Sequence, residues 1–164
     1  MNSIDKVNKL SKSDFISIFG NIFEKTEWIA ERCYESKPYN NLDELVSKMM
    51  KIFENIEQER HLEILNSHPD LAVEKKLTED SKNEQKNASL NQCTDEEFIE
   101  FKKLNEEYKK KFRFPFIIAV KGKNKEEILN SFRQRITNNI NLEFEEAKKQ
   151  VKKIASFRLS KIIK

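Results

Sequence analysis

Residues 94–108 of this chain are TDEEFIEFKKLNEEY, and they combine a helix cap with an apolar repeat. Thr94 and Glu97 have the spacing of a capping box, in which each side chain accepts a hydrogen bond from the other residue's backbone N–H. Apolar residues then recur at intervals of three and four, namely Phe98, Phe101, Leu104 and Tyr108. The stretch therefore predicts a long helix with these four side chains turned inward.

The same combination of a cap and an apolar stripe recurs on both sides of this helix. Ser11, Asn41 and Asn124 each begin a capping pattern. The stripes that follow are Phe15, Ile18, Phe19, Ile22 and Phe23; Leu42, Leu45, Met49, Ile52, Phe53 and Ile56; and Ile128, Phe132 and Ile136. Shorter helices are expected from Trp28 to Tyr34 and around Leu62 and Leu65, and a last helix from about Asn141. With only two glycines and three prolines, residues 1–164 are predicted to form one all-α domain, a compact helical bundle with a core from about residue 11 to 162.

Composition excludes several classes of function. The chain has 31 basic and 28 acidic residues, a balance too even for a nucleic-acid-binding protein. No stretch has the length and apolarity of a membrane span or a secretory signal, so we expect no membrane partner and a cytoplasmic location. Cys33 and Cys93 form no C-x-x-C pair and have no neighbouring histidine, so they are interpreted as reduced thiols, and no metal site is expected.

Two segments interrupt the helical pattern. Pro69 disfavours the α conformation at the preceding residue, so His-Pro-Asp at 68–70 is predicted to form a non-helical turn. Residues 114–120, FPFIIAV, are predicted to form an extended segment. Its backbone polar groups need partners from helices, water or a ligand. The segment is therefore either the wall of a ligand site or a buried connector that packs its aromatic side chains.

His68 is the first candidate for chemistry. A helix break can aim its side chain into a cleft, and a histidine pKa near neutrality suits proton transfer. The alternative is that His68 only hydrogen-bonds the backbone of the turn. His61 lies in the polar sequence Glu59-Arg60-His61 and is interpreted as a solvated helix residue.

Ser81 and Glu84 also have capping-box spacing, and one interpretation is that they begin a helix. The residues that follow include few apolar side chains, and a helix capped there would bury little. The alternative is a helix start that presents Ser81, Glu84, Gln85 and free N–H groups to a polar, amide-rich ligand.

Arg158 lies on the inward side of the last helix, together with Val151, Ile154 and Leu159. An inward guanidinium requires a partner, and its fork suits a carboxylate of the protein or of a ligand. The alternative is that its stem lies on the apolar face while its charged head reaches solvent.

Taken together, these segments resemble the 2-oxo-4-hydroxy-4-carboxy-5-ureidoimidazoline (OHCU) decarboxylase family. The motifs that carry the resemblance are His68-Pro69-Asp70-Leu71-Ala72, Leu77-Thr78-x-x-Ser81-x-x-Glu84-Gln85, Phe114-Pro115-Phe116-Ile117 and Arg158-Leu159. An early Phe23-Glu24-x-x-x-Trp28 and the stretch Leu104-Asn105-x-x-Tyr108-x-x-Lys111-Phe112 also agree. The resemblance extends from about Phe15 to Leu159, in matching order.

This resemblance implies an all-α homodimer that decarboxylates OHCU to S-allantoin in urate degradation, without metal or organic cofactor. It implies that His68 is the catalytic acid/base and that Glu84 and Arg158 are its polar partners. The substrate-binding residues it implies are Pro69, Ser81, Lys82, Asn83, Glu84, Gln85, Phe116, Ile117, Ile118, Ala119 and Val120. Both non-helical segments and the inward arginine are thus expected to serve one site.

The sequence departs from the family at Val73, Ser89 and Arg113, where members commonly carry glycine. Arginine beside the FPFIIAV segment is expected to alter access to the site. Two other classes of function remain open: a ureide-binding protein or related enzyme acting on a different small molecule, and a helical interaction module without activity. The combination of His68, Glu84 and Arg158 favours the enzyme, because an interaction module has no reason to keep all three.

Overall fold

A computed structural model of the chain describes residues 3–72, 78–88 and 90–163, and all regular structure in these residues is helical. The helices are α1 (Ile4–Lys9), α2 (Lys12–Phe19), α3 (Glu27–Glu35), α4 (Leu42–Glu54), α5 (Gln58–Ser67), α6 (Glu79–Asn87), α7 (Asp95–Phe112), α8 (Lys125–Arg135) and α9 (Ile140–Ile163), with a short 3-10 helix at Leu90–Gln92. The all-α fold class is confirmed. No helix in the described ranges combines the length and apolarity that crossing a membrane requires.

The helix starts follow the predicted capping chemistry. Thr94 and Asn124 each begin a complete capping box with the glutamate three residues later. The side chains of Ser11 and Asn41 each accept a hydrogen bond from the N–H three residues on. These caps satisfy backbone donors that have no partner within the helix, which is why the four starts could be located from local sequence.

The chain divides into two compact units. The first comprises Met1–Ser67 and Lys152–Lys164, and the second comprises His68–Val151. Each unit has its own buried aromatic side chains, and α9 contributes residues to both. The expectation of a single domain stays a prediction.

The core of the first unit contains α2 and the loop that follows it. α2 ends at Phe19, although the apolar spacing continues to Ile22 and Phe23. At the C-cap, a Cβ on Gly20 would lie 2.5 Å from the Ile16 carbonyl oxygen, so a larger residue would require the backbone to shift. Ile22 and Phe23 therefore lie in the loop after α2, and both side chains are buried. The Phe23 ring stacks on the Phe53 ring at a centroid distance of 4.8 Å.

His61 does not lie in solvent, and the interpretation from its polar neighbours was wrong. It is 5% exposed, and its Nε2 lies 2.7 Å from the carbonyl oxygen of Phe53. Phe53 stands in the last turn of α4, where carbonyl groups lack partners within the helix. The histidine therefore supplies a hydrogen-bond partner for a carbonyl group at the end of α4, and the His61 and Phe53 rings pack in a T-shaped arrangement.

Aromatic side chains surround Tyr108 in the core of the second unit. Its ring contacts four phenylalanine rings at centroid distances of 4.4–5.8 Å, those of Phe112, Phe114, Phe116 and Phe132. The predicted inward stripe of α7 is confirmed for Phe101, Leu104 and Tyr108. It is wrong for Phe98, which is 38% exposed because it follows the solvent-exposed capping box in the first turn.

Cys33 is a buried thiol with a pH-dependent consequence for stability. Its Sγ lies 3.0 Å from the Tyr39 hydroxyl, which donates to the Cys33 carbonyl oxygen at 2.6 Å. Burial raises the pKa of Cys33 from 9.0 to about 11. The unfolded chain therefore loses this proton at a lower pH than the folded protein does. The contribution of the Cys33 thiol to the free energy of unfolding is fully present below pH 9 and decreases as the pH rises toward 11.

We expect the free energy of unfolding of the wild-type protein to fall between pH 8.5 and about 10.5, and that of Cys33→Ala to fall less. Urea denaturation at each pH measures both. Cys93, which is partly exposed, provides the matched substitution Cys93→Ala. Equal slopes for wild type and Cys33→Ala would contradict the prediction.

Candidate active site

His68 lies directly after α5, which ends at Ser67. Residues 68–70 are outside any helix, so the predicted His-Pro-Asp turn is confirmed. The histidine is 8% exposed. Pro69 explains the end of the helix, because its ring disfavours the α conformation at the residue before it.

The backbone after Pro69 is held by Gln85 of α6. The Gln85 amide donates to the Asp70 carbonyl oxygen at 3.2 Å and accepts from the Ala72 N–H at 3.1 Å. A glutamine in this position behaves like a neighbouring peptide group, since it supplies one donor and one acceptor. Both polar ends of the Gln85 side chain thus engage the protein backbone, whereas the resemblance assigned this residue to substrate.

Helix α7 holds the same turn from a second direction. Asn105 donates to the Leu71 carbonyl oxygen at 3.1 Å, and the Lys109 ammonium lies 2.6 Å from a carboxylate oxygen of Asp70. Asn105 and Lys109 are four residues apart and therefore share one helix face. Neither residue was singled out as functional from the pattern of the sequence, although Asn105 belongs to a stretch that carries the family resemblance.

Ser81 and Glu84 do not form a capping box, because the helix begins earlier. Thr78 is the N-cap of α6, and its side chain accepts from the Ser81 N–H at 3.2 Å. Ser81 and Gln85 lie on the buried face of α6, and Glu84 is half-buried. The other two predicted substrate residues of this run, Lys82 and Asn83, are exposed.

The FPFIIAV segment has no regular secondary structure and is buried along its whole length. Its Ile117 carbonyl oxygen accepts from Arg135 at 2.7 Å, and its Ala119 N–H donates to Gln150 at 2.9 Å. The Phe116 ring stacks on Phe132 at 3.9 Å. These contacts support the description of the segment as a buried connector. A role as a ligand wall remains a prediction for Phe116, Ile117, Ile118, Ala119 and Val120.

A buried ion pair supports this connector. The fully buried Glu143 accepts from Arg135 Nε at 2.7 Å, from the Tyr108 hydroxyl at 2.6 Å and from Asn138 at 3.1 Å. Burial, together with the hydrogen bond to Glu143, raises the pKa of the Tyr108 hydroxyl. Sequence reasoning missed this network. The available signal was the position of Arg135, three residues after Phe132 on the inward stripe of α8.

Arg158 lies inward on α9 and is 3% exposed, so the predicted orientation is confirmed and the solvent-directed alternative is wrong. Its Nη2 lies 2.8 Å from a carboxylate oxygen of Glu24, and its Nη1 donates to the Asn21 carbonyl oxygen at 2.7 Å. The protein itself thus supplies the carboxylate that an inward arginine requires. Glu24 is fully buried, and the residue pattern alone did not single it out.

In the second unit, the turn after His68 and the FPFIIAV connector both contact helix α7. Helix α7 contacts the turn after His68 through Asn105 and Lys109, and it contacts Phe116 of the connector through Tyr108. Arg158 belongs to the first unit and is held there by Glu24 and Asn21.

One of the departures from the family pattern now has a structural description. Arg113 is the C-cap of α7 and adopts the left-handed conformation, with φ of 68°. Glycine is common at such a position because it has no Cβ to clash, which accounts for a glycine preference without reference to substrate. Val73 and Ser89 lie outside the described residues.

Comparisons with known proteins identify relatives of this chain. The model of the OHCU decarboxylase family matches residues 8–160. A 2-oxo-4-hydroxy-4-carboxy-5-ureidoimidazoline decarboxylase of Haloferax volcanii is 35% identical over 158 residues, which are 96% of this chain and 94% of that protein. A uric acid degradation bifunctional protein of Bacillus sp. (strain TB-90) is 40% identical over 164 residues.

The chain spans 33% of the length of that Bacillus protein. Among solved structures, the crystal structure of an (S)-allantoin synthase superposes with a TM-score of 0.81 at 26% identity, and the match covers this whole chain and 54% of that one. The family match covers most of the chain, and the Haloferax relative is matched over nearly its full length. The chain therefore belongs to the OHCU decarboxylase family.

Proposed function

We propose that this protein decarboxylates OHCU to (S)-allantoin in urate degradation, and that it does so without a metal or organic cofactor. The observation that carries the proposal is the family match over residues 8–160, a range that includes His68, Glu84 and Arg158. The 35% identity to a decarboxylase of nearly equal length supports the same substrate.

The substrate explains why side chains alone suffice. Its carboxylate and hydroxyl share one ring carbon, and the adjacent ring carbon carries the ureido group and a double bond to nitrogen. When the bond to the carboxylate breaks and CO₂ leaves, its electron pair forms a double bond between the two ring carbons, and the imine π pair moves to the ring nitrogen, which takes up a proton. The resulting enol loses its hydroxyl proton as the ureido-bearing carbon gains one, and the enol becomes a carbonyl, so the net uptake is one proton. The substrate supplies its own electron sink, so the protein has only to orient it and to direct one proton.

His68 is assigned to that proton. Histidine exchanges protons near neutral pH, and His68 stands at a break between helices with its backbone constrained on the C-terminal side. Glu84, half-buried on α6, is assigned to a ring N–H or to the ureido group, because a carboxylate accepts hydrogen bonds from both.

Arg158 is assigned as the third catalytic residue. Its charge is already balanced by Glu24 at 2.8 Å, so it holds a further carboxylate less tightly than an isolated guanidinium does. This property suits a decarboxylase, because a strong hold on the substrate carboxylate stabilises the ground state and slows its loss.

The predicted substrate contacts of Pro69, Ser81, Lys82 and Asn83 belong to the same proposal. For Gln85, Ile117 and Ala119, hydrogen bonds within the protein favour a supporting role. A homodimer, which rests on the family resemblance, and the cytoplasmic location expected from the sequence complete the proposal.

The experiment supplies purified protein with freshly generated OHCU and follows the product by circular dichroism. We expect faster allantoin formation and an optically active product. Without enzyme, solvent protonates the planar enol equally from both faces and gives a racemate. A racemic product formed at the uncatalysed rate would refute the decarboxylase. Binding of OHCU without turnover would favour the ureide-binding alternative.

A further inference from the structure

We propose that Asn105, Lys109 and Gln85, hereafter the His68 clasp, are positioning residues that orient His68 for delivery of the proton. This inference rests on the proposed function, in which His68 protonates one face of the enol. The clasp residues come from α6 and α7 and act on the three residues that follow Pro69.

The turn lacks secondary structure of its own, so side chains supply its hydrogen bonds. Asp70, Leu71 and Ala72 are all buried, and a buried backbone group without a partner destabilises the fold. Gln85 engages the backbone of the first and third of these residues, and Asn105 engages the carbonyl oxygen of the second. Each of the three consecutive residues is therefore held.

The backbone conformation of Ala72 shows that the turn is held against a local preference. Its φ is 55°, in the left-handed region that residues with a Cβ rarely occupy. Such a conformation persists only when surrounding contacts determine it. The hydrogen bond from the Ala72 N–H to Gln85 is one such contact.

Lys109 anchors the turn through a charge. Its ammonium lies 2.6 Å from the Asp70 carboxylate, whose side chain is only 11% exposed. Asp70 lies two residues after His68 in the chain. Lys109 binds Asp70 and Asn105 binds Leu71, and both of these side chains lie on the same face of α7. Along the chain, His68 directly follows the end of α5 and is followed, after Pro69, by the residues that the clasp holds.

Accurate placement of His68 matters for stereochemistry as well as for rate. A displacement of about 1 Å in a catalytic group can lower the rate by roughly 10²-fold. A proton donor with freedom to move also permits solvent to protonate the opposite face of the enol. Loss of the clasp should therefore lower kcat and the enantiomeric excess together and leave KM nearly unchanged. When the catalysed flux far exceeds spontaneous decay, a substitution that only reduces the amount of folded enzyme does not change the enantiomeric excess.

The test compares Lys109→Met, Lys109→Arg and Asn105→Leu with Lys110→Met, an exposed neighbour on the same helix. Enzyme concentrations are chosen so that the catalysed flux exceeds spontaneous decay. We expect Lys109→Met to lower kcat by about tenfold, with reduced enantiomeric excess. Lys109→Arg should restore both, because it keeps the charge. Lys110→Met should behave as wild type.

A second readout does not require activity. The chain has only two histidines, so ¹³C-histidine labelling gives one imidazole signal for His68 and one for His61. We expect Lys109→Met to shift or broaden the His68 signal, whereas the His61 signal, from a ring bonded to Phe53, stays unchanged. If the wild-type protein shows no turnover, the proposed function fails, and this spectrum still tests whether the clasp orients His68. If Asn105→Leu does not fold, Lys109→Met carries the test. Unchanged enantiomeric excess together with an unchanged His68 signal in Lys109→Met would overturn the proposal.

Discussion

Replacing His68 with asparagine should lower turnover by about 10²-fold or more, the usual scale for loss of a general acid or base. Asparagine keeps a polar side chain of similar reach but cannot exchange a proton near neutral pH. The far-UV circular dichroism spectrum should not change, and the melting temperature should stay near that of wild type, because the turn is held by its backbone and by Asp70. Initial rates on fresh OHCU and thermal melts test both expectations.

His61→Asn is the informative comparison, with the opposite result expected. His61 is buried against Phe53, and its ring satisfies a carbonyl group at the end of α4. We expect this variant to melt at a lower temperature while turnover per folded molecule stays unchanged. If His68→Asn unfolds the protein, the histidine is structural; if it folds and stays fully active, the assignment of proton transfer is wrong.

Glu24→Leu should lower the free energy of unfolding by about 3–5 kcal/mol, the usual effect of removing one partner from a buried ion pair. The carboxylate is fully buried, and its loss removes the ion pair with the Arg158 guanidinium, whose side chain is 3% exposed. Urea denaturation measures this change. The matched control is Glu31→Leu, which removes the carboxylate from the exposed Lys12–Glu31 pair and should have little effect on stability.

The double variant Glu24→Leu/Arg158→Met separates stability from catalysis. It removes both charges, so much of the lost stability should return. If Arg158 takes part in the reaction, the folded double variant should still turn over OHCU much more slowly than the wild-type protein does. Full activity of this variant would show that the pair is structural only, and a single Glu24→Leu variant as stable as wild type would contradict the buried pair itself.

Part of the candidate site could be predicted from the sequence, because its cause is local. Pro69 forces the break at His68 through contact with the adjacent residue. The inward position of Arg158 follows from its spacing on the last helix, seven residues after Val151 and four after Ile154. The capping boxes at Thr94 and Asn124 depend on four consecutive residues, and the structure forms both.

The partners of the polar residues could not be predicted in this way. Capping-box spacing at Ser81 was misleading, since Thr78 begins the helix three residues earlier. His61 has polar neighbours in sequence, yet it is buried against a carbonyl group eight residues earlier. Glu24 meets Arg158 across 134 positions of the chain. For His61 and Glu24, the burial or pairing depends on residues outside the local pattern.

The all-α class, most helix starts, the break at His68 and the inward face of Arg158 could thus be predicted from the amino-acid sequence, because hydrogen bonds and steric contacts within a few residues decide these features. The partners Glu24 of Arg158 and Glu143 of Arg135, and the hydrogen bonds that hold the turn after His68, emerge only when distant helices pack together. A buried polar group must find a partner, but which partner it finds depends on how distant helices pack.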